Sequence, residues 1–119
     1  MARFKKLVRR YESFIESRGW SKFHTPKNVA SAISVEANEL LELFLWHSDL
    51  DADRIKQDEE LVDAIQSEVA DVVIYCMSLS IYLDFDLLTA LEEKLEENEE
   101  RFDNEQSAKL TKQLEEYRE

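Results

Sequence analysis

The chain has 119 residues, 44% of them hydrophobic and 35% charged, which fits one folded domain rather than a disordered segment. One Gly and one Pro are too few turn formers for a β-rich fold, so the expected class is all-α. With 27 acidic and 15 basic residues the net charge is −12, which disfavours duplex nucleic acid as a partner but not a small phosphorylated ligand whose metal ions bring positive charge.

The first predicted helix runs from about Arg3 to Arg18, where Phe4, Leu7, Val8, Tyr11, Phe14 and Ile15 form the stripe of a core-facing helix. Gly19 is the residue type most often found just past a helix end. The connector Trp20 to His24 is unusually aromatic, and Thr25-Pro26 reads as the N-cap and first position of a second helix ending near His47 or Ser48. Between Ser48 and Glu60 the polar run predicts a loop with at most a short helical turn. A third helix covers about Glu60 to Leu83, and Asp86 is placed to cap a fourth over Leu87 to Phe102. The stretch 103–119 is polar, with Leu110, Leu114 and Tyr117 at helical spacing; it reads as a frayed extension or a tail that docks on a second subunit. The domain is therefore taken as residues 1–102. Val72 to Leu83 is too short to span a bilayer, Cys76 has no cysteine to pair with, and the N-terminus lacks a signal-peptide pattern, so no membrane and a cytoplasmic location are expected.

Two helices carry acids where apolar residues belong. At about 100° of rotation per residue, Val29, Ile33, Leu40, Leu43 and Phe44 define one arc, with Glu36 inside it and Glu39 at its edge. Leu61, Ile65, Val72, Tyr75 and Leu79 define another, with Glu68 inside and Asp71 at the edge. Acidic pairs at this spacing are most often solvated faces. Here both lie on the apolar side in the same arrangement, and antiparallel packing would bring all four together. Buried carboxylates without counter-charge are costly, and a hard divalent cation is the simplest remedy. Oxygen-only ligands suit Mg²⁺, or Mn²⁺ in its place. A di-iron bundle would want Glu-x-x-His, and neither His24 nor His47 stands in that arrangement.

Lys94, Asn98 and Arg101 share a narrow sector of the otherwise acidic fourth helix. They suit either a phosphate clamp or ordinary ion pairs with neighbouring glutamates. Trp20, His24, Trp46 and Tyr75 cluster around the acids in sequence, as base-stacking groups or as core.

Four blocks in this order resemble the MazG-like all-α nucleoside triphosphate pyrophosphohydrolases, and within them the small dCTP pyrophosphatase branch. They are Arg18-Gly19-Trp20-x-x-Phe23-His24-x-Pro26-x-Asn28; Glu36-x-x-Glu39 followed by Glu42-Leu43-Phe44-x-Trp46; Glu68-x-x-Asp71 followed by Ile74-Tyr75; and Lys94-x-x-x-Asn98-x-x-Arg101-Phe102. The resemblance spans about Phe4 to Phe102. Val35 stands where the family often has a further Glu, a mark of the dCTP-like branch, and Tyr11 stands where that branch can present a histidine to the nucleotide.

The resemblance implies hydrolysis of a nucleoside triphosphate, dCTP-like by preference, to monophosphate and pyrophosphate, in nucleotide-pool house-cleaning. It implies Mg²⁺ on Glu36, Glu39, Glu68 and Asp71, with Glu39 and Glu36 as the catalytic pair and Glu39 positioning or deprotonating water. Lys94, Asn98 and Arg101 would bind phosphates, and Trp20, His24, Trp46 and Tyr75 the base and sugar. It also implies an antiparallel four-helix bundle completed by homo-oligomerisation, as a homodimer or homotetramer. A dUTP- or phosphoribosyl-ATP-directed hydrolase on this scaffold, and a non-catalytic acidic helical module that binds a partner protein, remain as alternatives.

Overall fold

The first helix, α1 (Ala2–Ser17), ends two residues before the chain's single glycine. Gly19 adopts φ +66°, a left-handed conformation that a Cβ would strain, and its N–H bonds to the Glu16 carbonyl to close the helix end. The computed structural model describes residues 2–46 and 51–118. Among them there is no strand, and the all-α class holds.

A 3₁₀ turn over Ser21–Phe23 leads to α2 (Pro26–Glu42), whose N-cap is Thr25 with its hydroxyl accepting from the Asn28 N–H. The regular helix stops at Glu42, earlier than periodicity suggested. The N–H groups of Phe44 and Leu45 bond to Leu41 and Glu42, three residues back rather than four, so the last turn tightens instead of propagating. His47 and Ser48, the predicted ends, lie outside the described residues. Asp51 caps a short α3 (Ala52–Ile55), and Asp58 caps α4 (Glu59–Tyr82) through the Leu61 N–H.

α2 packs against α4. The faces meet as the stripes require: Val29 and Leu61 are buried and Ile33, Leu40, Ile65 and Val72 half-buried, whereas Ser31, Ser34, Asn38 and Glu42 are exposed. A second face of α4 meets α1. Ser78 and Ser80, which interrupt the apolar run, are its most buried polar residues, with Ser80 Oγ donating to the Met77 carbonyl at 2.6 Å. At 24 residues, α4 is long and apolar enough by length and composition to cross a membrane, beyond what Val72 to Leu83 suggested. The core helix of a soluble protein meets the same test, and α4 carries Glu68 and Asp71 against α2.

The chain divides into two compact units, Met1–Asp84 and Phe85–Glu119. The boundary follows Asp84, which takes φ 53°, a conformation that aspartate tolerates better than most residues. In the second unit Asp86 accepts hydrogen bonds from the Leu88 and Thr89 N–H groups to start α5 (Leu87–Arg101). Asp103 accepts from the Gln106 N–H at the head of α6 (Asn104–Arg118). Within the stretch expected as a frayed extension or tail, Asn104–Arg118 is thus a capped helix.

Candidate metal centre and adjoining pocket

Residues three apart on a helix project to nearly the same side, so each acidic pair leaves its helix together. Contact between α2 and α4 then brings three of the four acids into one group. One carboxylate oxygen from each of Glu36, Glu39 and Glu68 lies within 4.8 Å of the others. Glu36 and Glu68 are half-buried and Glu39 is exposed. Oε2 of Glu36 and Oε2 of Glu68 are both shut off from solvent, and neither accepts a hydrogen bond among the described residues. Two such oxygens in apposition call for a proton or a cation.

The titration behaviour points the same way. The Glu36 carboxyl is held above the usual carboxylate range, first by the facing Glu68 carboxyl, with which it can share a proton, then by burial, and further by the charges of Glu68 and Asp71. Glu39 is raised as well, first by its hydrogen bond with Glu36 and then by the Glu36 charge. Glu36 feels both Glu68 and Asp71 whereas Glu39 couples to Glu68, a register in which rising residue numbers on α2 meet falling ones on α4, as antiparallel neighbours require. Asp71 is half-buried and stands outside the close trio, within electrostatic reach of Glu36. Unpartnered, converging, oxygen-only donors fit a hard divalent cation such as Mg²⁺ or Mn²⁺.

Next to Asp71 a cavity of about 640 Å³ is lined by residues of α1, of the aromatic connector and of α4. Its volume is that of a small-molecule site. Four predicted site residues line it: Trp20, His24, Asp71 and Tyr75. Nδ1 of His24 is buried without a hydrogen-bond partner among the described residues. The Tyr75 phenol is pushed up, first by burial and then by the charge of Glu36. One wall is an aromatic series on α1 and the connector. Tyr11 and Phe14 are nearly parallel with centroids 6.5 Å apart, and Trp20 meets Phe14 edge-on at 5.7 Å.

That wall corrects the reading of α1 as a plain core-facing helix: of its stripe only Ile15 is fully buried, and Leu7 and Phe14 remain exposed around the cavity. Arg10 and Phe14 are lining residues that sequence reasoning passed over as site residues. The signal for Phe14 was present, since it shares a helix face with Tyr11; Arg10 had none, being one of several basic residues at the start of the chain.

Trp46 is 91% exposed and is not among the lining residues. On α5, Lys94 Nζ pairs with Glu97 Oε1 at 3.2 Å, and the Arg101 guanidinium lies 4.7 Å from the centre of the Phe102 ring. Asn98 is half-buried.

The model of the MazG-like family matches residues 31–116. Over 96 residues the chain is 34% identical to dCTP pyrophosphatase 1 of Rattus norvegicus and 33% identical to that of Homo sapiens, covering 81% of this chain. The chain spans 56% of the length of these curated relatives. A crystal structure of a pyrophosphatase from Archaeoglobus fulgidus matches with a TM-score of 0.77 at 34% identity, covering 86% of this chain and 94% of that one. The family match takes in α4, α5 and all four acids, and on that extent the chain belongs to the MazG-like family.

Proposed function

We propose that this chain is a Mg²⁺-dependent nucleoside triphosphate pyrophosphohydrolase that prefers dCTP-like deoxynucleotides and serves to clear excess or non-canonical nucleotides. The observation that carries the reading is the convergence of Glu36, Glu39 and Glu68 with two buried carboxylate oxygens that no donor reaches among the described residues. The likeness to dCTP pyrophosphatase 1 supports the substrate class.

In the reaction, water adds to the α-phosphorus, the bond from that phosphorus to the α–β bridging oxygen breaks, and nucleoside monophosphate and pyrophosphate leave. Glu36, Glu39 and Glu68 would hold the cation, and Asp71, one turn further along α4, would be the fourth ligand. Bound there, a divalent cation supplies positive charge against the phosphates and lowers the pKa of water. Glu39 is the exposed member of the trio, and its raised pKa strengthens it as the base that takes the proton from the attacking water. Glu36, the other member of the catalytic pair, raises the proton affinity of Glu39 and orients it through their contact.

Trp20, His24 and Tyr75 receive the base and sugar in the cavity beside Asp71. Trp46 is assigned to the base, and Lys94, Asn98 and Arg101 to the phosphate oxygens, on the family motifs they stand in. The chain leaves Val35, Leu41, Val69, Val73, Leu91 and Leu95 exposed on its helices, more apolar surface than a lone subunit in water favours. We assign these faces to a homodimer or homotetramer in which the antiparallel four-helix bundle is completed.

Pyrophosphate release from the four dNTPs and their modified forms, with Mg²⁺ and with chelator, tests the reading. Release that requires Mg²⁺ and is greatest for dCTP or a close analogue is the expected result. Absence of release from every nucleotide, together with a melting temperature indifferent to Mg²⁺, would leave a non-catalytic helical module.

A further inference from the structure

Charge is unevenly spread along this chain. Residues 1–28 hold eight of its 15 basic residues but only two of its 27 acidic ones, within a total net charge of −12. The unevenness continues across α1 itself. At about 100° of rotation per residue, Arg3, Lys6 and Arg10 fall within a sector of about 60°, next to Leu7 and Phe14. Lys5 and Arg9 fall on the other flank with Glu12 and Glu16, where two acids offset two cations. The fold keeps the two flanks apart. Arg10, Leu7 and Phe14 line the cavity of about 640 Å³, whereas Glu12 and Glu16 line a separate crevice between α1 and the end of α4.

The flank towards the cavity thus carries cations alone. Arg18, just past the helix, extends it: its guanidinium stands 3.8 Å from the centre of the Phe14 ring. Arg3, Lys6, Arg10 and Arg18 are all exposed, and among the described residues none forms an ion pair. Cations that no neighbour neutralises keep their field for an incoming anion, and apolar walls beside them focus it. Leu7, Phe14, Val73 and Ile74 supply such walls. Asp71 lines the same cavity, so an anion drawn along this flank arrives beside the acidic cluster. Elsewhere a highly charged anion meets a chain whose balance is strongly negative, and is repelled.

We propose that Arg3, Lys6, Arg10 and Arg18 form an electrostatic entry line that draws a nucleoside triphosphate to the cavity against the chain's own negative charge. The proposal rests on the nucleotide hydrolase reading and adds a capture step that precedes contact with the metal centre. These cations act through their field during approach, so their effect falls on the association rate and weakens with salt.

The test follows Trp20 emission in a Trp46→Phe background as a non-hydrolysable dCTP analogue binds with Mg²⁺ in stopped flow, from about 0.01 to about 0.3 M ionic strength. Two double variants lose the same charge from opposite flanks of α1: Arg3→Gln/Lys6→Gln on the cavity side and Lys5→Gln/Arg9→Gln on the other. All four positions are exposed, so the helical circular dichroism of both should match wild type. At low salt Arg3→Gln/Lys6→Gln should slow association by roughly ten-fold with little change in dissociation, and Lys5→Gln/Arg9→Gln by no more than about two-fold. The difference should close at the high-salt end, where the Debye length is shorter than the helix is wide. dCMP, which carries less charge, should be slowed less by the same variant, and kcat/KM for dCTP should follow the association rate. Equal losses in the two double variants would make the effect one of net charge and overturn the entry line. A loss carried by dissociation and persisting at high salt would make these residues direct contacts, and would also overturn it. A wild type that binds the analogue in this salt-dependent way yet releases pyrophosphate from no nucleotide overturns the hydrolase reading alone. An active wild type whose association ignores ionic strength overturns the entry line alone, and one that neither binds nor hydrolyses any nucleotide overturns both.

Discussion

The α2–α4 face and α5 are both rich in charge, yet they treat it in opposite ways. On α5 the cations find partners close by in the chain: Lys94 reaches Glu97 at 3.2 Å and Arg101 lies over Phe102, the residue after the helix. Between α2 and α4 the carboxylates meet one another, and Glu36 Oε2 and Glu68 Oε2 are shut off from solvent without a donor among the described residues. An exposed charge with a flexible partner contributes little and is easily rearranged. A buried charge without one is a standing cost that a cation or a proton must offset. The contrast marks the candidate site by what is unsatisfied rather than by where charge is dense.

The sharpest way to break this comparison is to neutralise the unsatisfied side. Glu39→Gln and Asp71→Asn should each abolish Mg²⁺-dependent pyrophosphate release, by roughly a thousand-fold or more, with the helical circular dichroism retained. Full turnover in Asp71→Asn would restrict the metal centre to the close trio. Arg101→Ala probes the opposite side. Its loss should lower kcat/KM by roughly ten- to hundred-fold if the guanidinium leaves Phe102 for a phosphate, whereas kinetics equal to wild type would make it a surface group.

A pH experiment in the absence of metal reads the cluster directly. Glu36 and Glu39 have folded-state pKa values above their ordinary ones, so the folded chain holds their protons more tightly than the unfolded chain does. Their contribution to stability is complete below the ordinary carboxylate pKa and is lost as pH rises through the raised values. In chelator, melting temperature should fall between about pH 5 and neutrality, and Glu36→Gln should flatten that slope. Adding Mg²⁺ should stabilise the protein more at neutral pH than at acidic pH, because protons compete for the same oxygens. A wild-type slope unchanged by Glu36→Gln would remove this cluster as its source.

Trp46 provides a smaller effect on stability. At 91% exposure it is no core residue, so Trp46→Ala should leave stability within about 0.5 kcal/mol of wild type. A rise in KM of roughly ten- to hundred-fold for a pyrimidine deoxynucleotide would then identify base stacking. Smallest of all, Glu97→Ala should change stability by only about 0.2–0.5 kcal/mol, since the Lys94–Glu97 pair is solvated on both sides.

Much of this molecule was legible in the chain itself. The period of 3.6 residues separated buried Val29 and Leu61 from exposed Ser31 and Ser34, and it placed Glu36 and Glu68 inside apolar arcs before any packing was known. Local capping chemistry marked Thr25, Gly19 and Asp86, because each acts through backbone groups within three or four residues. The end of α2 was less legible, since the shift to three-residue hydrogen bonds after Glu42 leaves no periodic trace in side-chain type. The tertiary structure alone decided which charges remain unsatisfied, because that depends on the approach of two helices separated by residues 43–58 of the chain. It turned the apolar stripe of α1 into a pocket wall, since a hydrophobic face shows only that something apolar should cover it and not what does. It also reversed the meaning of Ser78: in the chain a polar break in an apolar run, in the fold the most buried polar residue and the hydrogen-bond partner of the Tyr11 hydroxyl, because a small hydroxyl is buried at little cost once a partner reaches it.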